Sequence, residues 1–303
     1  MRRSSLALPT LFITAAIALA GCASSGTQPT ASTGVKVVAS TNVYGDIAKQ
    51  IGGEHVDVTS IIDSPDKDPH DYAATPRDQL AVSAAALVIE NGGHYDGFID
   101  TMLSSANNSA AVVLNAADIS GLDQEPANGH FNEHVWFDVN TVGLLAERIA
   151  AELTTIDPAN EAAYAANAST FAAELDGLKA KEASMKATLA GRGVAITEPV
   201  PLYLLESIGL VNKTPEAFTD AIEQGTDVSP QVLSETQALL TSGAVALLVF
   251  NEQTAGAQTE ALIATAGTSN IPTVGVTETL PAGETYVSWL SGYLDAIQTA
   301  LGR

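Results

Sequence analysis

The chain has 303 residues, of which 46% are hydrophobic and 16% charged, so it can bury a sizeable core and global disorder is excluded. Asp and Glu number 35 against 13 Lys and Arg, and the formal net charge is -22. A field of this sign repels nucleic acid and attracts cations, although many acidic proteins owe only their solubility to it. No nucleic-acid partner is therefore expected.

The N-terminus has the pattern of an exported lipoprotein. Two arginines precede an apolar run over 6–19 that is too short to span a membrane, which predicts a signal peptide over residues 1–21. The ending Leu-Ala-Gly-Cys resembles the bacterial lipobox, so we expect cleavage before Cys22 and a lipid on its thiol, with 22–34 as a flexible tether. Since Cys22 is the only cysteine, any metal site must use imidazole and carboxylate groups.

After the tether, strand-like and helix-like segments alternate in two separate parts of the chain. Apolar, β-branched runs are separated by helical segments in both parts, which predicts a parallel α/β sheet in each. The fold class is therefore α/β, with two Rossmann-like lobes. The predicted strands are 35–39, 56–62, 86–90, 111–114, 193–197, 244–250 and 273–277.

A single long helix is predicted between the two parts. Over 158–189, apolar residues recur at spacings of three, four or seven, and Asp157 before a proline is the predicted N-cap. About 30 residues with a rise of 1.5 Å each would extend about 45 Å, which is enough to join two lobes rigidly. The alternative is a helix that lies inside one continuous domain. The predicted domains are an N-terminal lobe over 35–154, the linking helix over 155–190 and a C-terminal lobe over 191–303.

Two of the five histidines stand where binding chemistry is expected. His70, in "DSPDKDPHDYAATP", lies between a strand and a helix, at the sheet edge where α/β proteins bind ligands. His134, in "NEHVWFDV", stands among apolar residues just before a helix predicted over 140–153. For His70, the local pattern fits an ordinary surface-turn histidine as well as it fits a ligand. For His134, a satisfied core histidine is the commoner case in such surroundings.

Carboxylates follow two predicted strands of the C-terminal lobe. Glu198 and Glu278 each come directly after a strand, where they would face a cleft between the lobes. Helix capping by an acidic residue is the alternative for Glu198. With the two histidines they form a set of two imidazoles and two carboxylates, which suits a divalent transition metal: zinc, manganese or iron. The sequence therefore predicts a metal site in the inter-lobe cleft.

The motifs around these residues resemble a known family. The stretches "DPHDYAATPRDQL", "NEHVWFDV", "TEPVPLYLLESIGL" and "VTETLP" are similar to the zinc/manganese-type metal-binding lipoproteins of bacterial ABC importers, whose lobes are joined by one long helix. The resemblance implies capture of zinc or manganese outside the cytoplasm and delivery to an ABC permease, without catalysis. It also implies a protein anchored to the cell membrane by the lipid on Cys22, and we expect a monomer.

The same resemblance implies the metal ligands. The histidine of D-P-H matches His70, the histidine before V-W matches His134, and Glu198 takes a position that is histidine in zinc-type members and glutamate in manganese-type ones. The fourth ligand of the family is an aspartate; Glu278 is the nearest substitute here, with Asp227 or a water as alternatives. Glu198 and the missing histidine-rich insertion of zinc-type members favour manganese, yet zinc outcompetes manganese at most nitrogen and oxygen sites, so the metal stays open.

Two other functions fit parts of this pattern. Two histidines and a carboxylate with an open position also make a catalytic zinc site, so an exported metallohydrolase is one alternative. A surface adhesin is the other, and it would be indifferent to alanine at His70 and His134. Neither a nucleophile nor a protease motif accompanies the histidines, and metal transport is therefore preferred.

Overall fold

The computed structural model describes residues 34–65, 67, 72–127, 129–254 and 256–302. Cys22 and the predicted signal peptide lie outside the described residues, and so does His70. None of the helices within these ranges is both long and apolar enough to cross a membrane.

The N-terminal lobe is built on a parallel sheet. Within the described residues it has four strands in the order β2-β1-β3-β4. The inner strands β1 and β3 are almost fully buried on both faces, which their β-branched runs require because helices cover both sides. The strands are β1 Val35–Thr41, β2 Val56–Ile62, β3 Leu87–Glu90 and β4 Val112–Asn115, and the helices are α1 Asn42–Gly52, α2 Pro76–Ala84, α3 Phe98–Ala106, α4 Ala116–Ser120 and α5 Val139–Ile156.

The C-terminal lobe repeats this arrangement. Its described strands pair in the order β6-β5-β7-β8, again all parallel. The predicted strand over 244–250 is shorter than expected, and helix α8 was not predicted at all. The strands are β5 Gly193–Ile196, β6 Val211–Asn212, β7 Leu248–Asn251 and β8 Thr273–Val276, and the helices are α7 Leu202–Ser207, α8 Glu216–Glu223, α9 Pro230–Thr241, α10 Ala257–Thr268 and α11 Tyr286–Leu301.

A long helix, α6 (Glu161–Leu189), joins the two lobes. Its 29 residues extend about 44 Å, and the predicted apolar stripe is buried along its whole length. Asp157 does not cap it, because a 3₁₀ turn over Pro158–Asn160 comes first and the Asp157 carboxylate accepts hydrogen bonds from Asn160 and from the Tyr164 hydroxyl. Two α/β lobes with a linking helix are confirmed, while the domain limits at 154 and 190 stay predictions.

The strand order fixes where each lobe can bind a ligand. In each sheet the chain passes from the first strand, β1 or β5, to a neighbour on one side and then crosses to the other side. The strand order therefore reverses between β1 and β3 in one sheet and between β5 and β7 in the other. Loops diverge at such a switch point and leave a crevice at the carboxyl ends of the strands. The two crevices meet, since Asn42 after β1 exchanges two hydrogen bonds of 2.9 Å with the backbone of Leu280 after β8.

Candidate metal centre

Three of the four predicted ligands lie at the junction of the two lobes. His134, Glu198 and Glu278 are only 1%, 3% and 5% exposed, a rare degree of burial for ionisable side chains. His70 lies outside the described residues, so its place in the site stays a prediction. The buried groups must each be held by specific partners, because an uncompensated buried charge is costly.

Asn132 sets the orientation of the His134 ring. Its Oδ1 accepts the backbone N–H of His134 at 3.2 Å and lies 2.7 Å from the ring Nδ1. An amide oxygen can only accept, so Nδ1 carries a proton and Nε2 is the ring nitrogen that can serve as a metal ligand. The Asn132 Nδ2 donates to the carbonyl of Pro199 in the other lobe at 3.1 Å, which fixes the amide in this sense.

Aromatic rings hold the other faces of the His134 imidazole. Trp136 and Tyr95 meet it edge-on, with ring centroids at 5.1 Å and 5.9 Å, and they pack on each other at 4.8 Å. The short 3₁₀ turn over Val135–Phe137 places His134 and Trp136 side by side against the N-terminal lobe. The imidazole therefore has little freedom to rotate.

Groups from both lobes hold the Glu278 carboxylate. Its Oε2 accepts from the Tyr95 hydroxyl at 2.9 Å, and its Oε1 accepts from Asn251 Nδ2 at 2.8 Å. The Glu278 backbone N–H donates to Gln253 Oε1 at 2.6 Å, so the loop after β8 is fixed as well. In this position Glu278 Oε2 lies 3.9 Å from His134 Nε2.

Glu198 follows β5 and is buried rather than used as a helix cap. Helix α7 starts only at Leu202, and the Glu198 Oε2 accepts from the Thr254 hydroxyl at 2.5 Å. Thr254 follows β7, so the two loops that flank the switch point of the C-terminal lobe are joined at this carboxylate.

A fifth ionisable side chain, Glu223, was not predicted from the sequence. It is the last residue of α8, and its Oε1 lies 3.8 Å from His134 Nε2. Glu278 approaches the same nitrogen. Glu133, His134 and Glu223 each offer a ligand atom within 4.8 Å of the others. The local sequence gave no signal for Glu223, since it follows no strand and shares no motif with a histidine.

The electrostatic field of this cluster is strongly negative. Burial first, and then the charges of Glu133, Glu198, Glu278 and Asp220 in that order, raise the pKa of Glu223 to about 9. Carboxylates that cannot all ionise together form a site in which a divalent cation replaces protons.

An open cavity of about 890 Å³ leads from the surface to Glu133 and Glu223. Its lining includes Glu133, Glu223 and the exposed Asp227, which accepts a 3.4 Å hydrogen bond from Gln258. The alternative fourth ligand suggested by the sequence therefore lies towards the mouth of the cavity. The cavity therefore gives a cation from solution access to Glu133 and Glu223.

The sequence of this structure matches a described family. The model of the family described as "Zinc-uptake complex component A periplasmic" covers residues 37–300. The chain belongs to this family. The match extends across both lobes and the linking helix, and so includes all the site residues described above.

Curated relatives of this family member carry the names of metal importer components. The manganese ABC transporter substrate-binding lipoprotein PsaA of Streptococcus anginosus is 30% identical over 178 residues, which is 56% of this chain and 57% of that protein. The iron ABC transporter substrate-binding lipoprotein MtsA of Streptococcus pyogenes serotype M1 is 28% identical over 176 residues, 55% and 56% of the two chains. The chain thus spans a little over half the length of the curated relatives it matches.

Solved structures of similar shape support the fold. The crystal structure of ZnuA has a TM-score of 0.73 at 21% identity and covers 88% of this chain and 99% of its own. The periplasmic zinc-binding protein TroA of Treponema pallidum has a TM-score of 0.75 at 20% identity, again over 88% of this family member and 99% of TroA. At such identities the likeness shows the fold alone.

Proposed function

We propose that the protein captures a divalent transition metal ion, zinc or manganese, outside the cytoplasm and delivers it to an ABC permease. The proposed ligands are His70, His134, Glu198 and Glu278. One observation carries the proposal: His134 Nε2, in a ring oriented by the Asn132 contact at Nδ1, lies 3.9 Å and 3.8 Å from carboxylate oxygens of Glu278 and Glu223.

The chemistry of the site supports capture of an ion from solution. Imidazole nitrogen and carboxylate oxygen are the donors that zinc and manganese take in proteins. The acidic surface raises the local concentration of cations, and the cavity gives them a path to the donors. The relatives named as manganese and iron importer lipoproteins support the same cargo class.

The proposal includes the membrane and the permease. A lipid on Cys22 would hold the domain at the outer face of the cell membrane, beside the permease that receives the ion. We infer no catalysis, because every donor at the site serves to hold the cargo. The exported metallohydrolase and the adhesin remain the alternatives that an experiment must exclude.

Calorimetry on metal-free protein tests the proposal. The chain from residue 23 is titrated separately with Zn²⁺ and Mn²⁺, and the titrations are repeated with His134→Ala and with His94→Asn. His94 is an exposed histidine with φ of 74°, a conformation that asparagine tolerates, so it is a matched control. We expect one-to-one binding that is lost in His134→Ala and kept in His94→Asn.

Two results would reject the proposal. Failure to bind either ion would leave the buried cluster without a cargo and would place the adhesin first. Binding that is unchanged in His134→Ala would reject the ligand assignment. Hydrolysis of an ester or peptide that requires both zinc and His134 would instead favour the metallohydrolase.

A further inference from the structure

We propose that Glu223, at the end of helix α8, is a further metal-contacting carboxylate that makes the donor set richer in oxygen and favours manganese relative to zinc. The inference rests on the proposed function, since it adds a ligand to the same site. It goes beyond the four ligand positions that the family resemblance implies, because helix α8 carries none of them.

The geometry around His134 carries this inference. Glu223 Oε1 and Glu278 Oε2 lie at nearly equal distances, 3.8 Å and 3.9 Å, from the same ring nitrogen. Donors that share one ion at metal–ligand distances of about 2.0–2.2 Å stand about 3–3.5 Å from each other. Each of the two oxygens would therefore have to move by less than about 1 Å to stand at that separation from His134 Nε2.

The hydrogen bonding of Glu223 leaves one oxygen for a ligand. Its Oε1 is buried, and among the described residues it has no hydrogen-bond partner. Buried carboxylate oxygens almost always have partners, because leaving one unsatisfied carries the full cost of removing it from water. A cation bound at this atom accounts for the missing partner.

The position of Glu223 in its helix works against a purely structural role. It is the last residue of α8, where the helix dipole disfavours a negative charge. The helix itself is anchored by the fully buried Phe218, which packs into the core between the sheet and α9 and α10 of the C-terminal lobe. The apolar face of α8 thus holds the helix in place without help from Glu223, and the acidic residue at its end faces the cleft.

A fifth protein donor changes which ion the site suits. Zinc is satisfied by four ligands in a tetrahedral arrangement, whereas manganese accepts six and prefers oxygen. Two imidazoles with three carboxylates supply five donors, three of them oxygen-bearing. Zinc still binds more tightly in absolute terms, so the effect of Glu223 is on the ratio of the two affinities.

The variant Glu223→Gln tests the inference, because it keeps the size of the side chain and removes the charge that manganese needs. Affinities for Mn²⁺ and Zn²⁺ are measured by calorimetry on metal-free protein from residue 23. The matched control is Glu260→Gln, an exposed glutamate in the first turn of α10. Cobalt(II) spectra give a second readout, since tetrahedral cobalt absorbs visible light much more strongly than five- or six-coordinate cobalt.

We expect Glu223→Gln to lose about tenfold or more in Mn²⁺ affinity and about threefold or less in Zn²⁺ affinity, with stronger cobalt absorption than the wild type. Glu260→Gln should bind both ions as the wild type does. Unchanged Mn²⁺ affinity in Glu223→Gln, or equal losses for the two ions, would overturn the inference. In either case, loss of binding in His134→Ala would leave the proposed function intact, whereas a wild type that binds neither ion would reject both.

Discussion

Replacing Asn132 by alanine should weaken metal binding although Asn132 is not itself a ligand. Its Oδ1 accepts the Nδ1–H of His134, with the two heavy atoms 2.7 Å apart, and also the His134 backbone N–H at 3.2 Å. Its Nδ2 donates to the Pro199 carbonyl at 3.1 Å. Alanine removes all three contacts. The imidazole would then also populate the tautomer that carries its proton on Nε2, and this nitrogen, which faces Glu223 and Glu278, cannot bind an ion while it is protonated.

The size of the effect follows from these three bonds. Each neutral hydrogen bond contributes about 0.5–1.5 kcal/mol net, so their loss totals about 1.5–4.5 kcal/mol. Part of that total is lost folding stability and part is lost metal affinity. Partners that orient a metal-binding histidine are worth about 10–100-fold in metal affinity, or about 1.4–2.7 kcal/mol, which overlaps the lower part of that range.

The variant Asn132→Asp separates the tautomer from the other effects. A carboxylate still accepts the Nδ1 proton and the backbone N–H, but it cannot donate to Pro199. We therefore expect zinc affinity to fall in the order wild type, Asn132→Asp, Asn132→Ala, measured by calorimetry on metal-free protein. Nitrogen chemical shifts of His134 would report the tautomer directly. Zinc binding by Asn132→Ala as tight as that of the wild type, or Asn132→Asp no better than Asn132→Ala, would refute this reasoning.

The remaining predictions concern stability. Burial raises the pKa of Glu90 to about 7 from its ordinary 4.5, so the stability it contributes is complete below about pH 4.5 and is lost as the pH rises through 7. Compared with Glu90→Gln, the metal-free wild type should therefore lose at most about 3 kcal/mol between pH 4.5 and 8 in urea unfolding. An unchanged difference across that range would contradict it. Phe171 on α6 is 1% exposed, so Phe171→Ala should cost about 3–5 kcal/mol in the same assay. The exposed neighbour Ser169→Ala should stay within about 0.5 kcal/mol, and equal effects would contradict the packing argument.

Much of the fold can be predicted from local sequence patterns. The runs of β-branched residues predict most strands because a strand buried on both faces cannot tolerate polar side chains. The stripe on α6 predicts the linking helix, since 29 residues with one apolar face can only pack as a helix. Helix α8 was missed because its eight residues give two turns at most, too short for periodicity to stand out.

Some residues of the candidate site can likewise be predicted from the local sequence, and others cannot. The sequence alone indicated His134, Glu198 and Glu278 as candidate ligands, because each stands at a strand end or within a motif, and their role as ligands stays a prediction. Tyr95 and Glu223 could not be recognised in this way, since nothing in their local sequence distinguishes them from ordinary polar residues. They become part of the site only when the two lobes dock, which brings Tyr95 to Glu278 and the end of α8 to His134. Local sequence determines which faces of each element are buried, but the partners of a buried polar group come from distant parts of the chain, and only the packing of the lobes selects them.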